Sequence, residues 1–516
     1  MHSATRRTSR RRRALVASVA AAALVGGAAG YVATSATASG LPTTYTDHAY
    51  PAALAAPSTD KQQSKLWRGG GAWWGVLVSA AKGVPTIHEL RTNHTWRDTG
   101  TVVDTRADST ADVWFAGTSL YVVSRTTTGS VLYSRFTYNA TARSFTKATG
   151  FPKTLVTGGV ESASLARDSL GFVWATWTKN ARVYLARTTS ATLDTTWSAP
   201  TLVPAPDNTV SSDDVSAIVA FNRQIGIMWS DQQSDAVRFA IHADGAALGT
   251  WRVETPLSGA DIADDHISLK AVGGDARVFA AVKTSYDAAG ATDTSAIINV
   301  LRRNADGTWV KAKGASVGDK ATRPQLALDR ENQRVYLFTT GPATGGTIYY
   351  KSSPFVGLKF ARGRGAPLMA KTGATLNDVS TLKGSVSAAT GTLTAIASDT
   401  TGKRYHHAEL PLSPAADTQP PIASTTINAV LAAPAVTVTW PLATDDRGIV
   451  AYDVFRNNVK IRTITITTGT GGNEDQRSWS HTDPNPGSGT WTYAIQARDA
   501  AGNTSDKETA RAVTIP

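Results

Sequence analysis

The sequence predicts an all-β protein: a β-propeller of seven blades, with six as the alternative, and a C-terminal β-sandwich. Three observations predict this. Aromatic residues recur at Trp96, Phe145, Trp197, Trp251, Trp309 and Phe360, with gaps of 49, 52, 54, 58 and 51 residues. A second series, Asp112, Glu161, Asp213, Asp265, Arg323 and Asp378, follows each aromatic by 14 to 18 residues. Two markers keeping step over six units describe a repeat array. Thirdly, the units hold short runs such as Phe172 to Trp177, Gln224 to Trp229, Arg277 to Val282 and Arg334 to Thr339. These are β-branched or aromatic and bounded by turn residues, and no apolar period of 3.6 residues appears. Roughly four strands in about 50 residues make a propeller blade, whereas a sandwich domain takes about 100.

The N-terminus reads as a signal peptide over residues 1–38. Arg6, Arg7 and Arg10 to Arg13 form a basic region, and an apolar run follows from Ala14 to Val32. Ala36-Thr37-Ala38 then offers a small-residue cleavage site. Arg12-Arg13-Ala14-Leu15-Val16 partly resembles the twin-arginine export signal. The competing reading is an uncleaved anchor, since 19 apolar residues are long enough to span a bilayer, but Gly26, Gly27 and Gly30 favour cleavage. The expectation is a secreted, soluble protein, with no membrane association once the signal is removed.

Charge and composition then exclude several classes. The chain of 516 residues is 41% hydrophobic and 18% charged, which rules out a disordered chain. Without the leader's six arginines, 46 basic residues face 40 acidic ones. That surplus is no nucleic-acid footprint. With no Cys there is neither disulfide stapling nor thiolate chemistry. A monomer is expected.

Residues 39–60, rich in Thr, Ala, Ser and Pro, read as a linker that also holds a candidate ring-closing strand. Residues 61–412 form the propeller. The last unit, from Asp378 to Leu412, has room for three strands only. A propeller closes its ring to remove exposed sheet edges, so the missing strand comes from the segment before Lys65. The proline-rich stretch 413–421 is a second linker, and 422–516 is the sandwich. There Val436 to Trp440 and Trp491 to Ala497 alternate in polarity, with Trp440 a candidate for the core.

Trp440, the strand Tyr452 to Asn457, and Tyr493 ahead of the turn Asp499 to Asn503 resemble bacterial fibronectin type III modules over all of 422–516. That resemblance implies a spacer or adhesive domain, with Tyr493 as the corner tyrosine, of a kind that accompanies secreted polysaccharide-degrading enzymes. The propeller resembles the sialidase-like superfamily in overall pattern. Asp306-Gly307-Thr308-Trp309 imitates that family's Ser-x-Asp-x-Gly-x-x-Trp marker, but its Asp and Trp lie three positions apart and no early Arg-Ile-Pro occurs. No catalytic residue carries over.

Candidate chemistry follows from the second marker series. Those residues precede or begin the innermost strands, so Asp112, Glu161, Asp213, Asp214, Asp264, Asp265, His266, Arg323 and Asp378 should converge on one rim of the central channel. Clustered carboxylates spread one another's pKa values, which suits glycoside cleavage. An acid repeated in every unit can equally cap the turn into the strand. Departures from the repeat are therefore the sharper candidates. Asp264-Asp265-His266 is read as the catalytic group, because a His beside Asp can move protons near neutral pH. Arg323 is read as a fork for a substrate carboxylate, or else as a counter-charge to its neighbours. Asp213, Asp214, Glu161, Asp378, Lys283 and Tyr286 complete the substrate contacts. Trp177 and Trp229 are read as stacking platforms for sugar, with core packing as the alternative. No cofactor is required; Ca²⁺ is a further option for the carboxylates, although no EF-hand-like loop occurs.

The resulting expectation is a secreted carbohydrate-active protein, a glycosidase or polysaccharide lyase with a polysaccharide partner. The alternative is a non-catalytic propeller that binds extracellular glycan or a cell-surface protein.

Overall fold

The computed structural model describes residues 41–516, apart from 60, 206–207, 274, 413–419, 424–425, 442, 444–448, 466–477, 500 and 511. The stretches read as a signal peptide and, for the most part, as a second linker lie outside the described residues. Among those described there is no α-helix, and the only helical turns are the 3₁₀ segments Val317–Asp319 and Ala388–Thr390. No described helix is long and apolar enough to cross a membrane.

Seven sheets, antiparallel apart from a short parallel pairing of Ser385–Val386 with Thr322–Asp329, follow one another from Tyr45 to Pro411. Their innermost strands are Leu66–Gly69, Thr110–Ala116, Ala163–Arg167, Ser216–Phe221, Ile267–Ala271, Thr322–Asp329 and Leu376–Ser380. Each of these lies beside the innermost strand of the next sheet. A parallel bridge between Leu66 and Leu382 joins the first sheet to the last, so the propeller ring is closed. The four runs singled out in the sequence are the second strands of their sheets: Val173–Lys179, Gln224–Asp231, Val278–Lys283 and Arg334–Gly341.

The two markers acquire a structural meaning. Trp96 and Trp309 open the outermost strands of the first and fifth sheets, and Trp251 directly precedes that of the fourth. The charged residue that follows, Asp112, Arg323 or Asp265, stands within two residues of the start of the innermost strand of the next sheet. The interval between them is thus one crossing from the rim of one sheet to the hub of the next.

The seventh sheet has only three local strands, Leu376–Ser380, Thr392–Asp399 and Arg404–Pro411. Tyr45–Ala49 supplies the fourth by pairing antiparallel with Arg404–Pro411. Just beyond it the Tyr50 hydroxyl donates to the carbonyl of Asp399 at 2.8 Å. The stretch read as a linker therefore carries ring structure.

Sheet faces pack on neighbouring sheets, and the cores lie between them. Trp177 sits with Tyr133, Leu165 and Ala186 between the second and third sheets, and Trp229 sits with Trp174 and Ile227 between the third and fourth. Within the fourth sheet Gly226 makes room for the adjacent strand: a Cβ there would meet the Phe239 ring at 2.3 Å.

The C-terminal sandwich is built of two main sheets. One holds Asn428–Ala432, Ala435–Pro441 and Ser478–Asp483; the other holds Val459–Thr465, Ile449–Arg456, Tyr493–Asp499 and Glu508–Thr509. Trp440, Tyr452, Trp479 and Tyr493 fill its core. The Tyr493 hydroxyl donates to Asp483 Oδ2 at 2.9 Å.

Candidate functional site

The innermost strands begin at one mouth of the channel, and the segment from Ser58 to Lys65 crosses it. Almost all of this segment is buried. Its groups bond to sheet after sheet. Ser58 Oγ donates to the carbonyl of Asp378 at 2.6 Å, and Gln325 Nε2 donates to the carbonyl of Lys61 at 2.7 Å. Gln63 Nε2 donates to the carbonyl of Ala163 at 3.3 Å, and the Lys65 amide to Ser380 Oγ at 3.1 Å. A polar segment suits this path because the ends of the inner strands present polar groups to the channel, and buried polar groups need partners.

Lys61 is the centre of the mouth. Its ammonium lies 2.6 Å from Glu161 Oε1 and 2.8 Å from Asp265 Oδ2, and donates to the carbonyl of Asp213 at 3.2 Å. Beyond Asp265 the chain of charges continues. His266 Nδ1 is 3.1 Å from Asp264 Oδ1 and also in contact with Asp265 Oδ1. Lys283 Nζ is 2.7 Å from Asp264 Oδ2 and 3.3 Å from Asp287 Oδ1. Signs alternate along this ribbon from Glu161 to Asp287.

The electrostatics follow from the contacts. Burial pushes Lys61 down, but the charge and hydrogen bonds of Asp265 and Glu161 outweigh it, and the net shift is upward. Burial likewise raises Asp265, yet His266 and Lys61 hold its carboxyl well below the usual carboxylate range. His266 is pushed down by burial and up, more strongly, by its two aspartates, so its imidazolium form persists above the ordinary histidine value.

These shifts give a pH prediction. A raised histidine stabilises the fold fully below its unfolded value near 6.5 and loses that contribution as pH rises through its folded value. A depressed aspartate contributes above about 3.8 and loses it as pH falls. Wild type minus His266→Gln, measured as unfolding free energy, should thus be largest between about pH 4 and 6.5 and shrink on the alkaline side. A difference that grows above pH 7 would contradict the ion-paired geometry.

Arg323 and Asp378 form a second pair at the mouth, with Arg323 Nε 2.7 Å from Asp378 Oδ1. Both residues have positive φ, 52° and 54°, inside strands whose register slips at that point. Such bulges re-aim side chains and are costly for an arginine, so the ring holds this pair in place. The cation therefore neutralises an acid of the adjacent sheet, the plainer of its two sequence readings.

Several expectations are corrected. Trp177 and Trp229 are 0% exposed and cannot be stacking platforms, because interior propeller strands are covered on both faces. Asp214 is buried as a turn cap: it accepts from the amides of Ser211 and Gln232 at 2.7 and 3.0 Å, and burial raises its pKa. Asp112 does not reach the mouth. It lies inside the channel, accepting from the amides of Ser64 and Leu165 at 2.8 and 2.9 Å and from Lys383 Nζ. Lys283 is buried and occupied by its aspartates, and Tyr286 packs half-buried against the cores beside the fifth sheet. What remains accessible is Glu161, Asp213, Asp264, Asp265, His266, Arg323 and Asp378.

Ca²⁺ does not fit these residues. Asp264, Asp265 and His266 offer ligand atoms within 4.8 Å of one another. Yet both aspartates already face lysine on one oxygen and imidazole on the other, whereas Ca²⁺ takes six to eight oxygens.

Lys61, Lys270 and Lys383 carry the channel's chemistry and were not singled out in the sequence. Lys270 Nζ donates to Ser64 Oγ and to the carbonyl of Leu382, both at 2.7 Å. Burial, then the charge of Lys383, push it down to about 7, with Asp112 opposing. One signal was available: Lys270 interrupts the otherwise uncharged strand Ile267–Ala271.

No family model matches this chain, and no curated protein matches it. Among solved structures, the chain is similar to the fucose-specific lectin from Aleuria aurantia, with 13% identity, a TM-score of 0.37, and coverage of 60% of this chain and 97% of that one. It is similar to the catalytic domain of the Coprinopsis cinerea GH62 α-L-arabinofuranosidase, with 9% identity, a TM-score of 0.32, and coverage of 58% and 89%. The α-L-arabinofuranosidase from Fusarium graminearum gives 9% identity, a TM-score of 0.36, and coverage of 58% and 94%. Likenesses of this degree assign no activity, and the reading of the mouth rests on its own side chains.

Proposed function

We propose that the protein is an exported glycan-binding propeller whose charged mouth, around Glu161, Asp213, Asp265 and Arg323, holds a polysaccharide by its hydroxyl groups. One observation carries this reading: the Lys61 ammonium fills the space between Glu161 and Asp265. A glycosidase leaves the gap between its two carboxyl groups open for the sugar or a water. Here the gap is closed, while the ion-paired groups keep partly exposed donors and acceptors in fixed positions. Charged partners make the stronger hydrogen bonds to hydroxyls.

A second reading, a glycoside hydrolase or lyase, has one observation in its favour. Asp264 and Asp265 both hold His266 Nδ1, and Nε2 has no partner among the described residues. That is how a positioned general acid is oriented, with Asp265 beside it as the basic partner.

One experiment separates them. Purified full-length protein is screened against neutral, uronic and microbial polysaccharides for binding, for new reducing ends and for unsaturated products. Binding without turnover, weakened about tenfold or more by Glu161→Gln, is the expected result. Turnover that His266→Ala lowers by about 10²-fold or more, measured where the variant is still fully folded, would establish the enzyme instead. No binding to any polysaccharide would remove both readings.

A further inference from the structure

The opposite face of the ring, where the inner strands end, carries a groove of about 660 Å³ between the first, second and seventh sheets. It holds four arginines, Arg68, Arg91, Arg97 and Arg143, against two glutamates, Glu89 and Glu409. The pairing is uneven. Arg97 and Arg143 both close on the buried Glu89; Arg97 does so through Nε at 2.9 Å and a terminal nitrogen at 2.6 Å, and Arg143 through Nε at 2.6 Å. Glu409 is taken by His94 Nδ1 at 2.5 Å. The guanidinium groups of Arg68 and Arg91 have no hydrogen-bonded or ion-paired partner among the described residues. Arg68 is half-buried, and burial pulls its pKa down against the opposing charge of Glu409, while Arg91 is exposed.

A guanidinium partly withdrawn from water without a hydrogen-bonded counter-ion is costly unless a ligand supplies one. The guanidinium fork matches planar and tetrahedral oxyanions in a bidentate manner. The groove's size is that of a small-molecule site. The rest of its wall is mixed: Thr92, Thr141, Thr390 and Thr392 stand around Gly71 and Gly391, with the apolar Trp73 and Leu90 beside them. Hydroxyls, open backbone and an apolar floor suit a sugar ring, which has polar edges and apolar faces.

We propose that this groove binds an oxyanion-bearing saccharide, with Arg68 and Arg91 pairing its carboxylate or sulfate group. The site is separate from the channel mouth and does not depend on how the mouth is read.

The test uses full-length protein and calorimetric titration with a galacturonate trisaccharide, a sulfated disaccharide and a neutral trisaccharide. Binding of at least one anionic sugar, none of the neutral one, and weakening by added salt are expected. The galacturonate and sulfate arms tell carboxylate from sulfate recognition. Arg68→Gln with Arg91→Gln should weaken binding about tenfold or more. Should that variant misfold, Arg68→Lys keeps the charge but loses the fork, and several-fold weaker binding is expected from it. No binding of either anionic sugar overturns the proposal, and so does binding that both variants leave unchanged. Equal affinity for a single-stranded oligonucleotide would show a general cation patch and also overturn it.

Discussion

Asp112→Asn should lower the free energy of unfolding by about 3–5 kcal/mol, the cost of removing one partner from a buried ion pair. Asp112 is 0% exposed, and its carboxylate receives Lys383 Nζ, Ser164 Oγ and the amides of Ser64 and Leu165. These donors come from the seventh sheet's exit, the third sheet and the channel segment, so one side chain ties three parts of the ring together. Asparagine fills the same space but leaves Lys383 without its counter-charge, beside Lys270. Burial already pushes Lys383 down. It must then keep an unpaired charge or give up its proton. Chemical denaturation reads the effect. The double variant Asp112→Leu with Lys383→Met should recover much of the loss, since a buried pair replaced by apolar groups is often neutral. A loss under about 1 kcal/mol for Asp112→Asn would mean that the channel is solvated and the pair is screened.

A chain that begins at residue 57 should lose at least about 3–5 kcal/mol, the scale for deleting one large buried aromatic side chain. It lacks Tyr45–Ala49, the outer strand of the seventh sheet, and with it the buried Tyr50. His407 also loses Asp47, whose Oδ2 lies 2.8 Å from its Nδ1. The strand Arg404–Pro411 then becomes an open edge, and open edges pair with other chains. Light scattering should therefore show self-association alongside the lower stability. A truncated chain as stable and as monodisperse as the parent would show that the N-terminal strand contributes nothing to closure.

Much of the ring was legible in the sequence because it repeats. Each unit crosses from outer to inner strand in a nearly constant number of residues, so an aromatic at one end and an acid at the other keep step. That spacing is a local property of strand and turn length, and it identified the inner strands without any long-range contact. The three-strand length of the last unit pointed in the same way to a strand from the N-terminal side. The Asp264-Asp265-His266 cluster was legible for the same reason, as adjacent residues at one turn.

Tertiary structure alone decided what those residues face. Lys61 meets Glu161 and Asp265 only because the ring brings sheets three and five to one mouth, and no local pattern encodes contacts across 100 residues and more. Nor could the strands reveal which rings are open to ligand. In an edge-exposed sheet, alternation separates wet from dry faces. In the interior strands of this propeller both faces are covered, so Trp177 and Trp229 carry no mark of burial beyond their own size. The charge of each acid was written in the chain, but its partner was set by the closure of the ring, since attraction acts across space and not along sequence.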